Sequence, residues 1–137
     1  MMENKKLEQL ISNIREITAT DDYAMDFFTG ATCKEISAFE QENNILFPKL
    51  ITQWLGFADG CSLFDTVISF YGVAHGRRIS IKDDGYICIG TFNYGDTVCI
   101  RNDSETIYLC GETVIEYTNF IDLLKLVIDI GTGGNDE

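Results

Sequence analysis

Leu7, Leu10, Ile11, Ile14 and Ile17 recur every three or four residues with Glu8, Arg15 and Glu16 between them, which predicts an amphipathic helix over 3–18. Thr20-Asp21-Asp22 interrupts it, and the pattern from Tyr23 to Thr29 is ambiguous. A second helix is predicted from Thr32. Its hydroxyl can cap the first turn while Glu35 reaches back to complete a capping box. Ile36 and Phe39 then face inward, and Asn43-Asn44 ends the helix. Pro48 has the fixed φ that suits the first position of a third helix. Ile51, Trp54, Leu55 and Ala58 form its buried stripe, and Gly60 stops it.

From Cys61 onward the apolar period shortens from about 3.6 residues to about 2. Short strands are predicted near 67–71, 79–82, 86–92, 97–101, 106–109 and 113–117. Between them lie the turn signals Asp83-Asp84-Gly85, Asn93-Tyr94-Gly95-Asp96, Asn102-Asp103-Ser104 and Gly111-Glu112. The segment 86–92 is apolar on both faces, Ile87 and Ile89 against Tyr86 and Cys88, which predicts a central strand. Thr118 then caps a last helix carrying Phe120, Leu123, Leu124, Val127 and Ile128, ending at Gly131. Residues 131–137 read as a frayed tail. The order of elements predicts one α+β domain over 1–137. Its N-terminal helices and C-terminal helix cover one face of a twisted, mainly antiparallel sheet.

Composition bears this out as a single foldable unit. The 137 residues are 45% apolar and 12% aromatic, enough for a core that needs neither disulfides nor a structural metal. Cys33, Cys61, Cys88, Cys99 and Cys110 form no C-x-x-C pair, and their odd number favours reduced thiols. The 11-residue steps from Cys88 to Cys99 to Cys110 suit equivalent points on successive strands rather than a zinc site. The first residues show no apolar signal region, and no apolar run approaches the roughly 20 residues of a membrane span. A cytoplasmic location, with no membrane partner, is the expectation.

Charge changes the picture most. Asp and Glu number 22 against 10 Lys and Arg, a formal net charge of −12. From residue 83 onward eleven acids face only Arg101 and Lys125, a balance of −9. Such a field opposes nucleic-acid binding, which requires a basic footprint, and anionic membranes equally. It favours a basic protein partner. Arg77, Arg78 and Lys82 are the only basic cluster, too small to outweigh the acids.

Candidate catalytic chemistry is thin. His75, the single histidine, lies in the flexible-looking stretch Gly72-Val73-Ala74-His75-Gly76-Arg77-Arg78 and reads as solvated. No nucleophile-elbow pattern accompanies it, and one imidazole cannot build a metal site. The turn acids Asp83 and Asp84 fit no calcium loop. The expectation is a protein without catalytic residues, metal or cofactor.

The segment Thr32-Cys33-Lys34-Glu35-Ile36-Ser37-Ala38-Phe39-Glu40, followed by Phe47-Pro48-Lys49-Leu50, Trp54-Leu55 and Ala58-Asp59-Gly60, resembles the SUKH superfamily. Phe47 stands where that pattern has leucine and Asp59 where it has asparagine. The resemblance continues through Ile89-Gly90, the Gly95-Asp96 turn before Val98-Cys99-Ile100, and Phe120 to Leu124, covering residues 32–128. It implies an α+β fold without a known catalytic centre, with Pro48, Gly60 and the Gly95-Asp96 turn as fold determinants. Many bacterial members look like immunity proteins that neutralise a toxin, often a nuclease. A fungal cell-wall-assembly regulator belongs to the same superfamily. Contact surfaces vary between members, so none is carried over.

Two expectations for function follow. One is an immunity-type protein whose turn acids imitate the phosphates a nuclease expects. Asp83, Asp84, Asp96, Asp103 and Glu105 would engage a basic toxin domain, with Tyr94 as an aromatic anchor. The other is an intracellular scaffold or regulator that recruits an endogenous partner through an apolar groove between helices and sheet, sensitive at Phe57 or Tyr71.

Overall fold

The first apolar stripe is buried along one side of α1 (Met2–Thr20), where Leu7, Leu10, Ile11 and Ile14 join the core. The computed structural model describes residues 2–20, 25–64 and 66–132. Asp21 and Asp22, read as a helix break, and the tail beyond Thr132, read as frayed, lie outside the described residues. Within the ambiguous stretch after α1 the chain forms β1 (Asp26–Phe27).

Helix α2 (Cys33–Asn43) begins with the predicted capping box. Glu35 N donates to Thr32 Oγ1 at 3.1 Å, and Thr32 N donates to Glu35 Oε1 at 2.9 Å. A cap of this kind contributes about 1 kcal/mol. Asn44, in the left-handed region at φ 56°, ends the helix. Helix α3 (Lys49–Phe57) starts one residue later than predicted. Pro48 is its N-cap, with φ −65° and an extended ψ of 156°, so the ring precedes the helix. Proline offers no side-chain acceptor. Glu105, 56 residues further along the chain, fills that role by accepting from Lys49 N at 3.2 Å. Trp54 anchors α3, its ring centroid 5.3 Å from Phe57, 5.4 Å from Phe70 and 5.2 Å from Phe120. Truncating an aromatic so placed costs roughly 3–5 kcal/mol.

The sheet has eight strands, every pair antiparallel, and does not close on itself. After β1 come β2 (Cys61–Leu63), β3 (Ile68–Phe70), β4 (Ser80–Ile81) and β5 (Ile87–Phe92). They are followed by β6 (Thr97–Ile100), β7 (Ile107–Cys110) and β8 (Val114–Tyr117). Spatial order is β1-β2-β3-β5-β6-β7-β8. Strand β5 is central, as its two apolar faces predicted. Along one edge β4 pairs with its first half, at Ile87 and Cys88, and β3 with its second, at Gly90 to Phe92. All six predicted strands form, and β1 and β2 are added to them.

Ile68, Phe70, Phe92, Val98, Ile100, Ile107 and Leu109 are buried on the face that meets the helices. Helix α4 (Phe120–Gly131) completes that layer with Phe120, Leu123, Leu124 and Val127. Its cap is Asn119 rather than Thr118, since Asp122 N donates to Asn119 Oδ1 at 3.2 Å. The opposite face is mixed, with Tyr86, Cys88, Cys99 and Tyr108 beside a set of hydroxyls. There the register aligns Ser62, Ser69, Thr91 and Thr97 in one row of hydroxyls across four strands. Cys88 and Cys99 are direct partners on this side, their Sγ atoms 3.6 Å apart. Cys110 pairs with Thr97 instead, so the 11-residue spacing marks equivalent points for the first step only. Among the described residues no helix is long and apolar enough to cross a membrane.

Candidate functional site

Between α3 and β2 the chain turns at Asp59, the only fully buried charged residue among those described. A carboxyl group placed there must be met by donors, since burial without them would cost several kcal/mol. Residues 73–75 supply them. Val73 N donates to Oδ1 at 2.6 Å, while Ala74 N and His75 N donate to Oδ2 at 2.8 and 2.7 Å. The His75 ring adds Nδ1 at 2.9 Å from Oδ2. Consecutive amides converging on one anion form a nest, and this one fixes the backbone of the long β3–β4 connection. Gly72 N donates to Arg77 O at 2.8 Å and Ile79 N to Gly72 O at 2.9 Å, closing the loop on itself.

His75 is therefore a bound residue, not a freely solvated one. Its side chain is 38% exposed. The carboxylate can only accept, so Nδ1 carries the proton and Nε2 is the nitrogen left over. Among the described residues no hydroxyl or thiol is hydrogen-bonded to the ring, and no group of three His, Cys, Asp or Glu side chains could hold a metal ion.

The fixed loop delivers Arg77 and Arg78 to the open face of the sheet. The Arg77 guanidinium lies 5.1 Å from the centroid of Tyr71. Further along the face Arg101 stands 4.1 Å over Tyr86 and 5.8 Å from Tyr108. A hollow of about 330 Å³ is lined by Tyr71, Arg77, Arg78, Ser80, Lys82, Cys88, Thr91 and Thr97. It shares Tyr71, Arg77 and Thr91 with a neighbouring hollow of about 200 Å³ that Asp26 and Phe28 help to line. The basic cluster seen in the sequence thus surrounds a concave surface. Thr91 and Thr97 come beside it because β4 pairs along β5 and β5 along β6, which the one-dimensional order does not display.

The six residues proposed to bind a partner fall at two ends of the β5–β6 ribbon. Asp83 and Asp84, in the β4–β5 turn, share one end with Asp103 and Glu105, in the β6–β7 turn. Arg101 links the two turns by donating from Nη1 to the Asp84 carbonyl at 3.3 Å. All four acids are exposed. Asp103 N donates to Leu46 O at 2.8 Å, and Leu46 N to Asn102 Oδ1 at 2.6 Å, which ties this rim to the α2–α3 connection. Tyr94 and Asp96 lie in the β5–β6 turn at the other end. Tyr94 is 58% exposed and stacks on Phe92 at 5.2 Å. Its hydroxyl is held above the ordinary tyrosine pKa, by partial desolvation and then by the charge of Asp96. A six-residue strand such as β5 separates the two groups by roughly 20 Å.

Phe57 and Tyr71, the residues expected at an apolar groove, are both engaged in contacts. Phe57 meets Trp54 and Phe27, with Arg15 5.0 Å from its centroid. Tyr71 is buried beneath Arg77.

These features define a single-domain α+β protein with helices on one side of its sheet and an open face on the other. The profile of the SMI1 / KNR4 family (SUKH-1) matches residues 30–126, and the chain belongs to that family. Its members commonly act as immunity-like or regulatory proteins and are not known as enzymes. No curated protein matches the chain.

Proposed function

We propose that this protein is a non-catalytic, immunity-type binder that captures a basic toxin domain through the acidic rim formed by Asp83, Asp84, Asp103 and Glu105. The observation that carries this reading is the convergence of these four exposed acids, from two turns far apart in sequence, at one end of the sheet. The −9 balance of the chain from residue 83 onward supplies a wider field of the same sign. Such a surface draws a cationic partner in and orients it before contact. Exposed carboxylates can stand in for the phosphates of a nuclease substrate while offering no scissile bond. The protein would act in the cytoplasm, where such a toxin would meet its target.

Asp83, Asp84 and Asp103 are the residues to reverse, because Glu105 also supports α3 and its loss would confound binding with stability. The test is a binding assay against a basic toxin domain recovered with the protein from its native host, with the Asp83→Lys, Asp84→Lys and Asp103→Lys changes combined. Association should slow about tenfold or more at low salt, and the salt dependence should flatten. An unchanged association rate with a genuine partner would remove the rim from the interface.

A further inference from the structure

We propose that the open face of the sheet holds a separate site for a small molecule bearing phosphoryl groups, in the hollow lined by Arg77, Arg78, Lys82, Ser80, Thr91 and Thr97. The chain carries 22 acids and only 10 Lys and Arg, yet three of those bases surround this one hollow and no carboxylate lines it. Among the described residues none of the three forms an ion pair. Three cations held together without a counterion repel one another, and an anion between them relieves that repulsion.

The donors are of the right kind. Two guanidinium forks can each give paired hydrogen bonds to a phosphoryl group, and Lys82 adds a mobile point charge. Arg78 spends one N–H on the Gly76 carbonyl at 2.9 Å and also borders a hollow shared with Glu35 and Glu42, so Arg77 and Lys82 are the less committed pair. Thr91 donates to the Asp96 carbonyl at 3.2 Å, whereas the Ser80 and Thr97 hydroxyls have no hydrogen-bond partner among the described residues. The loop beneath the site is held in advance: Asp59 pins the amides of residues 73–75 and the Tyr71 ring supports Arg77, which lowers the ordering that opposes binding.

Size and field select the class of ligand. About 330 Å³ lies at the lower end of small-molecule sites, which run roughly 300–1,000 Å³. A nucleic acid would have to lay its remaining phosphates over a protein of net charge −12, past acidic turns at both ends of β5. On the other side Asp26 closes the adjoining hollow to negative charge. A compact di- or triphosphate meets the three cations and none of the acids.

Calorimetric titration of the full-length chain with inorganic pyrophosphate, and separately with ATP, tests this. Saturable binding of either is expected, weakened about tenfold or more by Arg77→Gln combined with Lys82→Gln. The Asp84→Asn and Asp103→Asn changes at the rim should leave it within about twofold. Equal affinities would make the phosphoryl group itself the recognised feature, and tighter ATP binding would make the source a nucleotide. Both support the site. In the unsubstituted protein, pyrophosphate should shift the amide resonances of Ser80, Thr91 and Thr97, which keeps the test independent of how the variants fold. No binding of either probe, shifts confined to other residues, equal binding of sulfate, or displacement of pyrophosphate by a DNA duplex at lower concentration would each overturn the proposal.

Discussion

One oxygen of Asp59, Oδ2, accepts both the backbone N–H of His75 at 2.7 Å and that residue's ring Nδ1 at 2.9 Å. The same residue thus holds the carboxylate twice, once by main chain and once by side chain. Asp59→Ala would leave the amides of Val73, Ala74 and His75 without their acceptor in a buried place. Each orphaned donor costs about 1–3 kcal/mol. We expect a loss of at least about 3 kcal/mol, or roughly 10 °C in Tm, by thermal unfolding. Asp59→Asn should be milder. Its amide oxygen can still take the Oδ2 bonds, and only Val73 N would face an NH2, a loss of about 1–2 kcal/mol. Equal losses for the two variants would contradict the nest as the source of stability.

Buried thiols set an alkaline limit on the fold. Burial pushes the Cys61 thiol from the usual range up to about 12, and burial followed by its hydrogen bond with Cys88 pushes Cys99 upward as well. Unfolded, both would ionise near their ordinary values of about 8.5. The raised folded pKa means this stability is fully present below that value and is lost as pH climbs toward the folded one. The unfolding free energy from urea titrations should be flat to about pH 8 and then fall, by up to about 1.4 kcal/mol per pH unit for each thiol. Cys61→Ala should reduce the slope.

Two glycines should respond to alanine with opposite signs. A Cβ at Gly56, within α3, would meet nothing within 4 Å, so Gly56→Ala should stabilise by roughly 0.5–1 kcal/mol through helix propensity. A Cβ at Gly72 would run into the backbone and carboxylate oxygens of Asp59. Gly72→Ala should destabilise by about 2 kcal/mol or more, because neither obstacle can move without breaking the nest. Chemical denaturation of the two variants side by side measures both.

The two ends of the β5–β6 ribbon should behave as independent sites toward a partner. Charge reversals at Asp84 and Asp96 should add within about 0.5 kcal/mol in a double-mutant cycle, given roughly 20 Å between them. Coupling beyond that would require the partner to bridge both ends.

Much of this architecture was legible from residue pattern. The helical stripes, the Thr32–Glu35 box and the strands after Cys61 rest on local periodicity, which survives folding unchanged. Strands β1 and β2 are no shorter than β4 and β3, but β1 falls in a stretch without a clear period and Cys61-Ser62-Leu63 alone carries no strand signal. Helices α3 and α4 each begin one position later than predicted, with Pro48 as a cap rather than the first helical residue and Asn119 capping in place of Thr118, because a cap depends on where the first helical φ and ψ fall. Asp59 was invisible for a different reason. An acid before a glycine looks like any exposed turn, and its donors arrive fourteen to sixteen residues later in the chain. The split of the acids into two groups follows from the alternation of a meander, in which successive turns lie at opposite ends. Proximity in sequence therefore misleads there, while turns separated by a whole hairpin become neighbours.

The nest around Asp59 grips main-chain amides, and every backbone offers those regardless of its side chains. Outside Gly72 and His75, the connection it holds can therefore exchange the residues it displays without loosening its hold. Arg77 and Arg78 are in this sense cargo on a fixed mount. Descendants of the same fold can present other chemistry at the same place on the sheet, and the specificity of that face can be rewritten while the domain beneath it stays the same.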